Sequence, residues 1–214
     1  MNRELLKSFS NWLGDGPRIV GQVRISRAAE SWELRHNDDS GELTTYDRWQ
    51  DARALANLTE DGAFRPIKTI RDLRRGWRLL LASVEDVVRA LDYFYPAMLG
   101  LWNADSRGEL VVTDLRETLA RQTGMYRVTQ KITDPQAQQL CASHCSLCMK
   151  TMLWKIDPAQ PITSLAPEKH QRASGDSLPL LCREACNFLI GHARTVVKKA
   201  EKEALDAASP QTSS

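Results

Sequence analysis

The chain has 214 residues, with 29 Lys and Arg against 27 Asp and Glu, a formal charge of +2, and 42% apolar and 26% charged residues. This composition supports a sizeable folded core and excludes collagen-like, mucin-like and wholly disordered chains. The near-balanced charge argues against a nucleic-acid partner, which needs a strongly basic stripe, and no apolar run is long enough for a membrane span or a signal peptide.

Leu5, Leu6, Phe9, Trp12 and Leu13 recur at helical spacing over residues 2–13, and Gly14 to Pro17 stop that helix. From Arg18 to Ser26, Ile19, Val23 and Ile25 alternate with polar residues, and Trp32, Leu34 and His36 repeat the alternation. Two half-buried strands are expected, with Asn37 to Gly41 as a hairpin turn and a third short strand near Leu43 to Tyr46. Asp47 is placed to cap a helix carrying Trp49, Ala52, Leu55, Ala56 and Leu58. Thr69 is placed to cap another, bearing Ile70, Leu73, Trp77, Leu80 and Leu81, with Arg71, Arg74, Arg75 and Arg78 as a solvated face beside Asp72 or, alternatively, an anion-binding one.

Ser83 to Asp86 reads as a capping box for a helix through Val87, Val88, Leu91, Phe94 and Tyr95, which Pro96 ends or kinks. Gly108 to Val112 is a short extended piece, Asp114 opens a helix closed by Gly124, and Asp134-Pro135 opens the helix that runs into the first cysteines. Residues 157–177 are rich in proline and read as a mobile loop, and those after Leu205 have nothing to bury. The expected fold class is α+β: a small N-terminal antiparallel sheet with helices in a stabilising domain over 1–133, a mainly helical cysteine-bearing domain over 134–205, and a disordered tail over 206–214.

All five cysteines lie between residues 141 and 186, as Cys141, Cys145, Cys148, Cys182 and Cys186. An odd number so confined is no disulfide framework spread over a fold, and a reducing, cytoplasmic setting is expected. Three thiols in one short stretch answered by a second pair point to a metal. Met149 and Asn187 occupy the places where glycine often follows the cysteine pair of a structural zinc site, which favours an iron–sulfur cluster over zinc. Cys182 and Cys186 are spaced i, i+4 and read as one face of a helix, with Pro179 in its first turn and Asp176 or Ser177 as its cap. That helix N-terminus would favour an anionic [4Fe-4S] cluster, as would Lys150, Lys155 and Arg183. Four thiolates suffice. Cys148, Cys182 and Cys186 are three of them, the fourth is Cys145 or Cys141, and the remaining one is spare.

The spacing C-x3-C-x2-C also matches radical-SAM enzymes, but those carry it early in a long α/β barrel, and no barrel pattern follows Cys148. His144 between two candidate ligands is a weaker candidate than the thiols. Trp154 and Phe188, close in sequence to cysteines, are placed either to shield a cluster or to pack as ordinary core aromatics.

Tyr95-Pro96-Ala97 with Trp102, then Arg121-Gln122-Thr123-Gly124-Met125-Tyr126-Arg127, then Cys148-Met149-Lys150-Thr151-Met152-Leu153-Trp154, then Leu181-Cys182-Arg183-Glu184-Ala185-Cys186, resemble in order the C-terminal half of a deinococcal-type protein related to sirohydrochlorin cobaltochelatases. In that family a chelatase-like module precedes a stabilising domain and a [4Fe-4S] domain. The resemblance covers most of 18–200 and leaves out the chelatase module; His36, His144, His170 and His192 form no metal-inserting set. It implies an accessory or electron-transfer module in cobalamin or siroheme-type tetrapyrrole metabolism, acting with a separately encoded chelatase or redox partner, rather than an enzyme that inserts cobalt alone. Arg121 and Arg127 are the candidate receivers of tetrapyrrole carboxylates, although a helix end at Gly124 with its dipole complemented by the arginines explains the same residues. The alternative function is a zinc-stabilised interaction module with no redox role.

Overall fold

A computed structural model describes residues 2–57, 73–145, 151–155, 163–164, 175–183 and 185–208, with the backbone alone for 141–145, 151–152 and 163–164. In chain order the elements are α1 (Arg3–Leu13), β1 (Arg18–Val20), β2 (Val23–Ala28), β3 (Ser31–His36), β4 (Thr44–Tyr46), a 3-10 turn (Trp49–Asp51) and α2 (Ala52–Asn57). β5 (Trp77–Leu81), α3 (Val84–Phe94), α4 (Met98–Ser106), α5 (Leu115–Ala120), a 3-10 stretch (Gly124–Lys131) and α6 (Asp134–Cys145) follow. The last are β6 (Thr151–Trp154), β7 (Thr163–Ser164), β8 (Ser177–Leu178), β9 (Leu181–Cys182) and α7 (Asn187–Ala208). The fold is α+β. Among the described residues no helix is long and apolar enough to cross a membrane.

The chain divides into two compact units. The first comprises 1–110, 149–151 and 168–182, and the second 111–148, 152–167 and 183–214. The first unit is built on a sheet in the order β4-β5-β3-β2-β1-β8, parallel at its two outer pairs and antiparallel between them. One face carries Val20, Val23, Ile25, Trp32, Leu34, Trp77, Leu79 and Leu81 into a core shared with Phe9 and Leu13 of α1, Leu55 of α2, Val87, Leu91 and Phe94 of α3, and Met98 of α4. The Trp77 and Phe94 rings stack there with centroids 5.0 Å apart.

α1 begins where Asn2 Oδ1 accepts the Glu4 N–H at 2.9 Å. It ends at Gly14, and Arg18 Nε closes its carbonyl end by donating to Trp12 O and Leu13 O at 2.7 and 3.0 Å. The alternation from Arg18 to Ser26 is two strands rather than one. Gly21, at φ 58°, reverses the chain between β1 and β2, and a Cβ there would lie 2.6 Å from the Tyr95 ring and 2.7 Å from Leu180. Only glycine meets both conditions.

Two further expectations are corrected by pairing. Asn37 to Gly41 do not form a hairpin, because β4 lies parallel to β5, and β5 is inserted beside β3. The helix expected from Thr69 and Ile70 to Leu81 is, over Trp77–Leu81, the inner strand β5. Trp77, Leu79 and Leu81 fit a period of two as well as Trp77, Leu80 and Leu81 fit a helix, and pairing with strands on both sides selects the former. Thr69, Ile70 and Arg71 lie outside the described residues, and Arg78 stands on a strand. The 3-10 turn before α2 has no side-chain cap, so Asp47 does not serve as one, and Leu58 lies outside the described residues.

α3 is capped as its capping box predicts: Ser83 Oγ accepts the Asp86 N–H at 3.1 Å and donates to Asp86 Oδ2 at 2.9 Å. Pro96 ends α3. Ala97 then takes a left-handed φ of 62°, and α4, which the sequence patterning left unassigned, begins at Met98.

The second unit packs Leu115 and Leu119 of α5, Ala137 and Leu140 of α6, Trp154 of β6, and Leu189, Ile190, Ala193 and Val197 of α7 into a smaller core. Asp114 caps α5, its Oδ1 accepting the N–H groups of Arg116 at 2.8 Å and Glu117 at 3.2 Å. α5 stops at Ala120, short of Gly124, which at φ 58° opens the 3-10 stretch instead. Thr129 anchors that stretch: it is buried and donates to Leu119 O at 3.1 Å and Tyr126 O at 2.8 Å. α6 begins at Asp134 as expected and reaches the first cysteines. The expected loop over 157–177 lies outside the described residues except for 163–164 and 175–177, and α7 runs on through Asp206, Ala207 and Ala208 before 209–214, which are also outside them.

Candidate metal centre

Cys141 and Cys145 are the last two candidate ligands on α6, one i, i+4 step apart along its C-terminal turn. Cys148 lies outside the described residues, as do Lys150 and His170. Cys182 and Cys186 do not share a helix face. Cys182 ends the strand β9, half-buried after the buried Leu181. Pro179 follows the short strand β8, so neither Asp176 nor Ser177 caps a helix. The i, i+4 spacing carries the helical reading only if a helix includes both residues, and here the helix starts at Asn187.

Cys186 instead occupies the cap position of α7. Its Sγ accepts the Leu189 N–H at 3.5 Å, and its carbonyl oxygen accepts the Ile190 N–H at 3.0 Å. A sulfur so placed faces the N–H groups that a helix leaves unpaired at its start, where negative charge is favoured by roughly 0.3 to 1 kcal/mol. The sequence signal for this role is a cysteine two residues before the apolar run Phe188-Leu189-Ile190, a position where a cap side chain can stand.

Cys186 packs against the core of the second unit, which also holds Trp154. Trp154 is buried to 1% exposure, and its Nε1–H has no hydrogen-bond partner among the described residues. A buried indole N–H is normally paired, so this donor fits a site whose acceptor is a sulfur or another group beyond the protein atoms described. Phe188 is 38% exposed. Of the cations expected to offset an anionic cluster, Arg183 donates through Nη1 to Val111 O at 2.8 Å, and the Lys155 backbone bonds Thr113 and Leu115. Among the described residues no three Cys, His, Asp or Glu side chains form a metal-holding group.

The tetrapyrrole candidates stand apart from these thiols in role. Arg121 pairs with Glu117 at 3.4 Å with its side chain 74% exposed, and Arg127 is exposed on the 3-10 stretch. Gly124 does not end α5, but Arg121 stands at its C-terminal cap, where a cation complements the helix dipole, and Arg127 lies beyond it on the 3-10 stretch. His36 is fully buried in the first unit, its Nδ1 accepting the Asp38 N–H at 3.1 Å.

Two family models match the chain. That of the DR2241 stabilising domain covers residues 6–106, and that of a 4Fe-4S iron-sulfur cluster binding domain covers residues 107–195. No curated protein matches. Among solved structures, DR2241 from Deinococcus radiodurans is similar at 27% identity with a TM-score of 0.64, over 86% of this chain. That structure is described as a multi-domain protein with structural similarity to chelatases and two additional novel domains, and this chain spans 39% of its length. With the two models in series and the structural likeness over the same stretch, the chain is similar to the stabilising and cluster-binding part of DR2241, a protein described as structurally similar to chelatases.

Proposed function

We propose that the chain holds one [4Fe-4S] cluster through four of Cys141, Cys145, Cys148, Cys182 and Cys186, and serves as the redox or accessory module of a tetrapyrrole cobalt-chelation system. The observation that carries the reading is that all five cysteines fall within the 107–195 stretch matched to a 4Fe-4S cluster binding domain. The cap position of Cys186 supports it, because an N–H directed at a ligating sulfur stabilises added negative charge and raises a cluster's potential. Bound there, the cluster would supply one-electron storage, while the chain's own residues provide the thiolates, the α7 N–H groups and the burial around Trp154. The link to chelation rests on the likeness to a protein described as structurally similar to chelatases, and it makes a chelatase the expected partner.

Anaerobic purification tests the cluster. The expected protein is brown, carries about four iron and four sulfide per chain, and bleaches on reduction; a colourless protein with one zinc and no sulfide overturns the proposal in favour of a zinc-stabilised interaction module. Single Cys→Ala variants are expected to lose iron at four positions and retain it at the spare one. Native purification that recovers no tetrapyrrole-handling protein overturns the pathway link while leaving the cluster intact.

A further inference from the structure

The sheet of the first unit has one face in the core, and its other face carries a row of arginines. Arg24 lies directly opposite Arg35, and Arg35 directly opposite Arg78, on three neighbouring strands. Residues opposite one another in a sheet share a face with Cβ atoms about 5 Å apart, so the three arginines leave the sheet along a line roughly 10 Å long. Ile19 and Thr45 end the row, and Ser26, Glu33 and Leu80 form the next. The buried residues of α1, α2 and α3, and Met98 and Leu99 of α4, belong to the core on the opposite face.

Like charges directly opposite are destabilising, and this row is poorly compensated among the described residues. Among the described residues Glu33 is the carboxylate beside it, 3.8 Å from Arg35 Nε and 4.0 Å from Arg78 Nη1, too far for a hydrogen bond to either. Among the described residues Arg78 Nε donates to Thr45 Oγ1 at 2.7 Å, Arg35 Nε is buried without a hydrogen-bond partner, and Arg24 has no ion pair or hydrogen bond. The side chains of Arg35 and Arg78 are only 30% and 43% exposed, so they already lie along the sheet instead of extending into solvent. Their ordering has been met in the free chain, which lowers the cost of pairing them with an incoming carboxylate.

We infer that this face docks an acidic protein surface presenting several clustered carboxylates. The row contains no lysine, and planar guanidinium forks match carboxylates two bonds at a time. Flatness favours a protein over a small molecule, which is normally held in a concave site. The face is about 20 Å across and one or two residue rows deep, well below the roughly 800 Å² that each partner of a stable complex buries, so the encounter is weak and transient. The inference does not depend on the cluster reading.

The probe is a fluorescent decaglutamate peptide, followed by anisotropy with the full chain at low salt. Binding is expected, with loss on raising salt to about 0.5 M as screening shortens. Arg24→Gln with Arg35→Gln is expected to weaken it roughly tenfold, whereas the charge-matched control Lys198→Gln with Lys202→Gln leaves it unchanged. The thermal midpoint of the first double variant is expected to hold or rise, since a repulsion is removed. Equal weakening in both double variants, no binding at all, or a fall in midpoint with unchanged affinity overturns the inference. So does a decathymidylate strand that binds more tightly than the peptide through the same arginines, which would assign the face to nucleic acid.

Discussion

Tyr95 shows how a single side chain ties the first unit together. It is 4% exposed, its ring is the surface on which the Gly21 turn rests, and its hydroxyl oxygen accepts the Gln22 N–H at 2.8 Å. Burial pushes its phenol well above the usual 10.0, with the Gln22 N–H pulling weakly the other way. The folded chain therefore keeps a proton that the unfolded chain releases above about pH 10, so the stability present below that pH is lost as pH rises beyond it. Urea unfolding at pH 8 and pH 10.5 is expected to show a smaller alkaline loss in Tyr95→Phe than in the parent. At pH 8 that variant is about 1 kcal/mol less stable, because the Gln22 N–H loses its acceptor. Equal alkaline losses would show that Tyr95 does not titrate in the unfolding reaction. Nothing in the sequence around Tyr95-Pro96 discloses this contact, because Gln22 lies 73 positions away.

Helix starts are the most local feature of the chain and were the most legible. Ser83 and Asp114 cap α3 and α5 because a short oxygen-bearing side chain before an apolar-periodic run can reach the first unpaired N–H groups whatever the rest of the fold does. Asp114→Ala is expected to cost about 1 kcal/mol in urea unfolding, whereas Asp114→Asn keeps most of that contribution. No loss in the alanine variant would mean that solvent satisfies those N–H groups equally well. Strand and helix were confused where one apolar run fits both periods. Trp77 to Leu81 became the strand β5 because β3 and β4 supply pairing partners on its two sides, and Cys182 closes a strand where its spacing to Cys186 suggested a helix.

At the scale of the whole molecule, the two units have separate apolar cores, and that of the second is the smaller. A small core gains most from a bound metal, since ligation energy becomes folding energy. Anaerobic removal of iron is therefore expected to accelerate amide exchange at Leu119, Leu140 and Leu189 while leaving β2, β3 and β5 protected. Unchanged exchange in the second unit would show that its fold does not depend on the cluster. The sequence by itself determined the α+β class, the Ser83 and Asp114 caps, the clustering of cysteines and the likeness to DR2241-type domains, all of which depend on residue type and short spacing. Tertiary structure alone decided the strand order, the identity of β5, the cap position of Cys186 and the row formed by Arg24, Arg35 and Arg78. Each of these depends on which distant segments pair, and pairing energy is set across the sheet or core, not along the chain.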